Sequence, residues 1–391
     1  MHILVSCEFE ASYQKAHAIN TIKMAQGFAR LGHDVTVVCR EPPEGSVSPD
    51  KLAKIYGLTE PLRWVQLPRK ILGWSTDTYW RTALLTLPTA LQIRPDLVFA
   101  RGYLFPWLSS KLGMATVAEK HSRVGVVNSR FFRLVKGTHH RAFLVWLTIS
   151  HRLADYYHSQ GVPKEKLLVL PDAVDLKLYQ RPECLPDSPY PANCANVAYV
   201  GHLYDYKGIP TVLEAAAKLP EVIFHFVGGW QEDIDRHQKR VEELKLQNVI
   251  FHGLKPQVEV PNFLWHADIL LLPPSQHHPS AAWTSPVKLG EYLASGTPVV
   301  ATDILALRDW LTDEEVEFVQ PDNPEALAQG IGRLLSDKSR VEQLRVAGLK
   351  KAQALSYEKR VEAILKYCGL SLYGTTFSLD DTPSLKQGLG Q

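Results

Sequence analysis

The residues best suited to hold an anionic ligand lie between Ser285 and Glu291. Ser285 is a favourable N-cap and Pro286 a favourable first residue, so the sequence predicts that a helix begins there. The backbone N–H groups of Val287 and Lys288 would then lie at the positive end of the helix dipole, where a diphosphate can bind. Glu291, six residues after the cap, can accept hydrogen bonds from a vicinal diol such as a ribose. A solvated glutamate on a surface helix is the alternative.

A second candidate for phosphate binding is the stretch Tyr199–Gly208. It follows a β-rich run, and Gly201 permits a tight turn at the end of that run. From this turn His202 and Lys207 can both point at a phosphate. The stretch lacks G-x-G-x-x-G, which argues against a nicotinamide or flavin dinucleotide. Taken alone it is a weak signal, because a solvated lysine would look the same.

The elements that must position these residues are short apolar runs alternating with helical segments. Most runs are nearly continuous Val, Ile, Leu and Phe, which is typical of parallel strands buried on both faces. The alternation predicts a doubly wound α/β fold. The predicted strands are Ile3–Ser6, Asp34–Val38, Asp96–Ala100, Ala115–Glu119, Leu144–Ile149 and Leu167–Leu170, followed by Asn196–Val200, Val222–Val227, Asn248–His252, Asp268–Leu272, Thr297–Ala301 and Val316–Val319.

A proline-rich stretch, Leu176–Ala195, separates the two series of strands and is predicted to be an interdomain linker. Two facing domains of this kind leave a cleft between them. Ligands of open α/β sheets bind beyond the carboxyl ends of the strands, so the cleft is the expected site.

The composition is that of an ordinary globular protein, with 391 residues, 45% hydrophobic and 21% charged. The formal charge of +2 gives no support for a nucleic-acid binder. Five cysteines without a C-x-x-C pair argue against a disulfide framework or zinc ribbon and favour a reducing cytosol. The N-terminus does not resemble a signal peptide. The longest apolar stretches, such as Ala142–Ile149, are far below the roughly 18–20 residues that span a bilayer.

Together, the two anion-binding stretches resemble the donor half of the GT-B glycosyltransferases of family 4, a retaining, nucleotide-sugar-dependent class. The family pattern G-R-L-x-x-x-K-G is similar to Gly201–Gly208, and the second half of E-x7-E-A-M-A-x-G-x-P-V-V-A is similar to Glu291–Ala301. Ser285–Tyr292 resembles the S-P-x-K-x-x-E-Y form of bacterial members. Further similar segments are Asn248–Gly253 and Ala267–Pro273 and, more loosely, Phe28–Val38, Thr148–Ala154 and Val162–Asp175.

The resemblance implies an α/β architecture of two facing Rossmann-like, doubly wound parallel-sheet domains with an interdomain cleft. We expect an acceptor domain at residues 1–180, a linker at 181–195 and a nucleotide-sugar donor domain at 196–356. A helix at 357–370 would return to the first domain, and a tail would follow at 371–391. No cofactor is expected, because the nucleotide-sugar is a co-substrate.

The resemblance also assigns residues. Lys207, with help from His202, would stabilise the leaving diphosphate, Glu291 would hold the ribose, and His121 would orient the sugar together with Thr284. The expected catalytic residues are therefore His121, Lys207 and Glu291. The expected donor-binding residues are Gly201, His202, Lys207, Leu254, Thr284, Ser285, Pro286, Val287, Lys288 and Glu291.

The acceptor side and a metal site are less well defined by the sequence. His17, at the start of the first helix, either contacts the acceptor or lies on the helix surface, and Arg101 either opens on the cleft or forms a structural ion pair. The motif Asp233-Ile-Asp235 falls in a polar helical segment, and His277-His278 has no further ligand at metal spacing. We therefore expect no metal.

Three departures from the family pattern bear on specificity. The first glutamate of E-x7-E is replaced by Trp283, which leaves the donor sugar undefined. The usual arginine is His202, a weaker cation near neutral pH. The glycine pair of the first loop is absent from Glu8–Lys15, so the acceptor cannot be carried over from the family.

Two other functions remain open at this stage. One is a different GT-B enzyme, such as a sugar-nucleotide epimerase or a phosphorylase. The other is a degenerate, non-catalytic scaffold, which Trp283 favours and which the intact Lys207 and Glu291 argue against. The expected partners are a nucleotide-sugar and a carbohydrate, glycolipid or small-molecule acceptor, without nucleic acid. A cytoplasmic location is expected. The basic, aromatic segment Arg123–Arg141 either contacts an anionic inner membrane surface or is an ordinary helix before the strand Leu144–Ile149.

Overall fold

The computed structural model contains two parallel α/β layers, one in each half of the chain. It describes residues 1–71, 74–75, 78–123, 135, 137–283, 285 and 287–370. The predicted tail at 371–391 and most of the basic segment at 124–136 lie outside the described residues. No helix in the described ranges is long and apolar enough to cross a lipid bilayer.

The first sheet has seven parallel strands in the order β3-β2-β1-β6-β7-β8-β9. Its central strands are the continuous apolar runs of the sequence, which are buried on both faces. Its strands are β1 His2–Glu10, β2 Asp34–Arg40, β3 Arg63–Leu67, β6 Leu97–Ala100, β7 Thr116–Lys120, β8 Phe143–Thr148 and β9 Leu167–Val169, with a hairpin of β4 Lys70–Ile71 and β5 Trp74–Ser75 beside it. The helices are α1 Ala16–Arg30, α2 Pro49–Tyr56, α3 Tyr79–Ile93, α4 Leu104–Lys111 and α5 His151–Ser159.

The second sheet has six parallel strands in the order β12-β11-β10-β13-β14-β15. They are β10 Ala195–Val200, β11 Val222–Val227, β12 Val249–Gly253, β13 Ile269–Leu272, β14 Val299–Thr302 and β15 Glu317–Val319. The helices of this half are α6 Leu176–Tyr179, α7 Ile209–Ala216, α8 Gln231–Glu243, α9 Val260–His266, α10 Val287–Ser295, α11 Leu305–Arg308, α12 Pro324–Ser336, α13 Lys338–Ala354 and α14 Tyr357–Tyr367.

The prediction of a doubly wound α/β fold is confirmed. The short hairpin of β4 and β5 was not predicted, and one strand of the two parallel sheets was missed. That strand, β3, lies at the edge of the first sheet and interleaves Arg63 and Gln66 with apolar residues. It therefore lacks the continuous apolar pattern of the central strands. In each sheet the strand order reverses beside the first strand, since β1 lies between β2 and β6, and β10 between β11 and β13. The crevices at these reversals are where α/β proteins bind ligands.

The last helix packs on the first domain. Val361, Ile364 and Leu365 of α14 are buried in the apolar core formed by β1, β2 and α1. The chain first passes from one domain to the other near Val174, and it returns to the first domain near Ser356. These two crossings lie side by side, because Val174 and Ser356 form a parallel bridge and the Val174 N–H donates to Leu355 O at 2.9 Å.

Buried charges hold the first crossing to α1. The carboxylate of Asp175 accepts hydrogen bonds from Lys23 Nζ at 2.7 Å and from Arg30 Nη1 at 2.8 Å. All three side chains are almost fully buried. Burial alone would raise the pKa of Asp175, but Arg30 and Lys23 hold it below its usual value. Removing one member of such a buried group costs stability, because the opposite charge stays behind without a partner.

We expect Ile364→Ala to lower the free energy of unfolding by about 2–5 kcal/mol, because a buried isoleucine leaves a cavity in the core under α14. Urea denaturation followed by circular dichroism measures this, with two transitions fitted where two domains unfold separately. Lys366→Ala, at an exposed position of the same helix, is the matched control. An Ile364→Ala protein as stable as Lys366→Ala would show that α14 is not part of the folded core.

Candidate functional site

The beginning of α10 is joined to the first domain by a hydrogen bond across the cleft. The backbone N–H of Asp172 donates to Ser285 Oγ at 2.9 Å, and Ser285 is buried. The sequence predicted that this hydroxyl caps its own helix, but its partner in the structure is the Asp172 amide. The predicted donor residues Thr284 and Pro286 lie outside the described residues. The helix itself begins at Val287, as the spacing indicated.

Lys288 extends its side chain from the first turn of α10 towards β10. Its Nζ donates to the Tyr199 hydroxyl at 2.7 Å and lies 3.9 Å from the centre of that ring. Gly201 has a positive φ of 143°, and a Cβ there would approach Lys288 Nζ to 2.5 Å. The glycine is thus required for the lysine to reach this position. Burial, followed by the charge of Lys207, lowers the pKa of Lys288 well below its usual value.

Lys207 lines the same pocket from the other side. The pocket walls come from the loop after β10, the end of β13 and the start of α10, and include Tyr199, Tyr206, Lys207, Pro273, Ser280 and Lys288. Burial lowers the pKa of Lys207. The loop turns sharply at Gly208, which has a φ of 83° and no room for a Cβ against Pro273 O. Two partly desolvated lysines facing one pocket make a strong site for an anion.

Glu291 lies one turn after Lys288 on α10. The Tyr179 side chain is one of the groups near its carboxylate. Burial raises its pKa, against the opposing effects of Tyr179, Lys288 and Lys23. The carboxylate lies within electrostatic reach of Lys288, and its binding of a ribose stays a prediction.

The surroundings of His202 do not favour the charged form that a cation beside the phosphate would need. Its ring stacks between Tyr204 at 5.3 Å and Trp230 at 5.7 Å. Burial and the charges of Lys288 and Lys207 lower its pKa, so the ring is neutral at neutral pH. It can offer a hydrogen-bond donor, while the positive charge comes from the lysines. Leu254, after β12, is 61% exposed and has the free apolar face expected of a residue that packs on a base.

His121 faces the same cleft from the first domain, just after β7. Its Nε2 lies 3.1 Å from Glu119 Oε1, and its Nδ1 lies 3.5 Å from Asp172 Oδ1. Glu119 is completely buried and is paired with Arg360 at 2.6 Å. Burial would raise the pKa of Glu119, but Arg360, His121 and Arg101 hold it well below its usual value. The imidazole is thereby fixed in orientation at the mouth of the cleft.

The two predicted acceptor-side residues contact each other. Arg101 Nη1 donates to the backbone oxygen of His17 at 2.9 Å, and Arg101 Nε lies 3.8 Å from Glu119 Oε2. The structural ion pair favoured for Arg101 is thus present. His17 packs against Phe9 and Tyr13. Burial and the charge of Arg101 lower the pKa of His17 to about 4, so it is neutral at physiological pH.

Several residues at the site were missed by the sequence analysis. Arg360 comes from the last helix and Asp172 from the crossing segment, and neither stands in a local pattern that indicates a role. Tyr179, which lowers the pKa of Glu291, lies in the stretch predicted to be linker. The D-x-D motif is on α8, where Asp233 accepts from Arg236 at 2.8 Å. Across the described residues, no three acidic, histidine or cysteine side chains are grouped as metal ligands.

Two family models match the chain, and each covers one half. The model described as Glycosyltransferase Family 4 matches residues 20–178, and the model described as Glycosyl transferases group 1 matches residues 187–351.

Among curated proteins, WcaL of Escherichia coli, named for a glycosyltransferase role in colanic acid biosynthesis, is 30% identical over 47% of this chain and 45% of its own length. TuaH of Bacillus subtilis, named for the same role in teichuronic acid biosynthesis, is 28% identical over 44% of each chain. The chain thus matches about half the length of these relatives.

A solved structure that is similar over nearly the whole chain is HepE of Anabaena in complex with UDP. It is 16% identical, with a TM-score of 0.72 over 94% of this chain and 100% of that one. Sucrose-phosphate synthase of Thermosynechococcus elongatus is 19% identical, with a TM-score of 0.70 over 94% of this chain and 98% of that one. These structures share the two-domain GT-B fold.

We expect the protein to take up protons when inorganic pyrophosphate binds to the lysine pocket above neutral pH. The pKa values of Lys207 and Lys288 are lowered in the free protein, so both ammonium groups lose protons earlier than usual as pH rises. A bound anion raises both pKa values again, because it favours the charged form of each lysine. The affinity for pyrophosphate should therefore fall as pH rises. Calorimetry in buffers of different ionisation enthalpy measures the uptake directly.

Lys288→Met should reduce the proton uptake, whereas Lys338→Met, at an exposed lysine far along the chain, should leave it as in the wild type. Binding heats that do not depend on the buffer would contradict the assignment of the two lysines to the anion site.

Proposed function

We infer that this chain, which belongs to the group 1 glycosyltransferases of family 4, transfers a sugar from a nucleoside diphosphate to a hydroxyl group of an acceptor. The observation that carries the proposal is the pocket at the start of α10. There Lys207 and Lys288 face one space, and Glu291 offers a carboxylate one turn further on. This is the combination that a diphosphate joined to a ribose requires.

In the proposed reaction the pocket stabilises charge that develops on the leaving diphosphate. Lys207, Lys288 and the first N–H groups of α10 supply preorganised positive charge, which acts strongly in a desolvated site. Glu291 would accept hydrogen bonds from the ribose hydroxyls and so fix the donor. His121, held by Glu119 and Asp172, would contact the sugar from the opposite wall of the cleft.

The bond between the anomeric carbon and the diphosphate oxygen would break, and the acceptor oxygen would form the new bond on the same face. The acceptor proton would pass to the departing diphosphate oxygen, so the configuration at the anomeric carbon is retained. Closure of the two domains would exclude water, which would otherwise compete with the acceptor as a nucleophile. No cofactor beyond the donor enters this scheme.

We propose a uridine donor and a surface-polysaccharide precursor as acceptor. The complex of HepE with UDP, a protein of the same fold, supports the first. The relatives WcaL and TuaH, named for the biosynthesis of two bacterial polysaccharides, support the second. Such precursors are built at the cytoplasmic face of a membrane, which is the location we propose for this chain.

A non-catalytic scaffold remains the competing proposal, because Trp283 stands where the family has a glutamate. Measuring the release of UDP from UDP-sugars in the presence of acceptor distinguishes a transferase from a scaffold. A scaffold would bind the nucleotide but release no product at any enzyme concentration.

We expect UDP to raise the melting temperature of the protein more than GDP or ADP does. A ligand at 100 times its Kd stabilises the folded state by about 2.7 kcal/mol. Glu291→Gln should weaken UDP binding roughly 10- to 100-fold, because the hydrogen bonds of a carboxylate to the ribose are lost. Pyrophosphate binding should be unchanged in that variant, since it has no ribose.

Lys207→Met provides the complementary test, because it should weaken UDP and pyrophosphate alike. Differential scanning fluorimetry ranks the ligands, and calorimetry gives the affinities. If no nucleotide shifts the wild-type protein, or if Glu291→Gln binds UDP as tightly as the wild type, the proposed donor site is wrong.

A further inference from the structure

The guanidinium group of Arg123 lies within cation–π distance of two aromatic rings, one from each domain. Its Cζ lies 4.5 Å from the centre of the Trp283 ring and 5.1 Å from the centre of the Tyr156 ring. Tyr156 belongs to α5 of the first domain, whereas Trp283 precedes α10 of the second. The two rings fix the position of a long side chain that would otherwise be free to rotate.

Within the described part of the chain, Arg123 has neither a hydrogen-bond acceptor nor an ion-pair partner. The carboxylates of Glu119 and Asp172, which both contact His121, have other partners as well. Glu119 is paired with Arg360, and Asp172 accepts from Asn20 Nδ2 at 2.7 Å. Arg123 is also exposed to solvent. Its N–H groups are therefore open to a ligand.

Aromatic stacking determines which chemistry this arginine can bind. A guanidinium is planar and weakly hydrated, and its N–H groups form a fork in its plane. That geometry fits the two oxygens of a carboxylate, which accept parallel hydrogen bonds from the fork. A neutral hydroxyl would gain only one such bond.

Arg123 also lies where a sugar would lie in the proposed reaction. It follows His121 by two residues, and Trp283 precedes Ser285 by two. His121 and Ser285 both contact Asp172, at 3.5 Å and 2.9 Å. The Arg123–Trp283 pair and the His121–Asp172–Ser285 contacts therefore both join the two domains across the cleft, through residues only two positions apart in each segment.

We propose that Arg123 is a specificity residue that binds the carboxylate of a uronic acid, either on the donor sugar or on the acceptor glycan. This inference rests on the proposed function, since it places a sugar substrate in the cleft. It gives Trp283 a role as well, because the indole that replaces the family glutamate removes a negative charge that would repel a uronate and holds the arginine that attracts one.

The test compares ligand pairs that differ only in one carboxylate. UDP-glucuronate is compared with UDP-glucose as donor, and cellobiuronic acid with cellobiose as acceptor, the disaccharides being titrated with and without UDP. In one of the two pairs the acidic member should bind about tenfold or more tightly, as expected for a bidentate charged pair. The pair that shows the preference identifies the donor or the acceptor as the source.

Arg123→Gln should abolish the preference for the acidic member and leave UDP binding unchanged. Arg123→Lys keeps the positive charge but lacks the paired N–H donors of a guanidinium, so it should retain only part of the preference for the acidic member. Arg152→Gln, at an exposed arginine of α5, is the matched control for a general loss of positive charge. Its preference should equal that of the wild type.

Equal affinities within both ligand pairs would overturn the inference, as would a preference that survives Arg123→Gln. If Arg123→Gln weakens charged and neutral ligands alike, Arg123 is only a contact between the domains, and the inference is again wrong. Failure of the wild-type protein to bind UDP would count against the proposed function instead. The disaccharide pair without UDP still tests Arg123 in that case.

Discussion

The cleft depends on the ion pair between Glu119 and Arg360. Glu119 lies at the end of β7 and has no exposed surface, so an unpaired charge there would cost several kcal/mol. Its partner comes from α14, after the chain has built the whole second domain. The pairing therefore requires the last helix to return to the first domain, next to the crossing at Asp172. The same carboxylate contacts His121, so the fold and the orientation of that imidazole depend on one interaction.

The opposite wall of the cleft differs from the Glu119 site in its charges. There two groups of like charge are buried, and an anionic ligand is needed to neutralise them. Burial lowers the pKa of both Lys207 and Lys288, and the charge of Lys207 lowers the pKa of Lys288 further. Gly201 leaves room for Lys288, and Gly208 lets the loop of Lys207 turn against Pro273. Such an arrangement is unfavourable in the empty protein and favourable with a bound anion.

The sequence predicted the fold well because parallel strands buried on both faces leave continuous apolar runs. It predicted the start of α10 and the places of Lys207 and Glu291 because helix signals and glycine turns are local. It missed β3, whose edge position lets polar residues alternate with apolar ones. It also missed Arg360, Tyr179 and the contact between Arg123 and Trp283, since these join segments far apart in the chain. The hydroxyl of Ser285 was assigned to its own helix for the same reason: its true partner, the Asp172 amide, is distant in sequence.

A crystal structure of the protein with UDP shows where the donor binds. We expect the diphosphate within hydrogen-bond distance of Lys207 Nζ and the first N–H groups of α10, with the ribose hydroxyls on the carboxylate of Glu291. The uracil should lie against Leu254. UDP bound elsewhere, or in the lysine pocket with its ribose turned away from Glu291, would show that the donor site proposed for this protein is wrong.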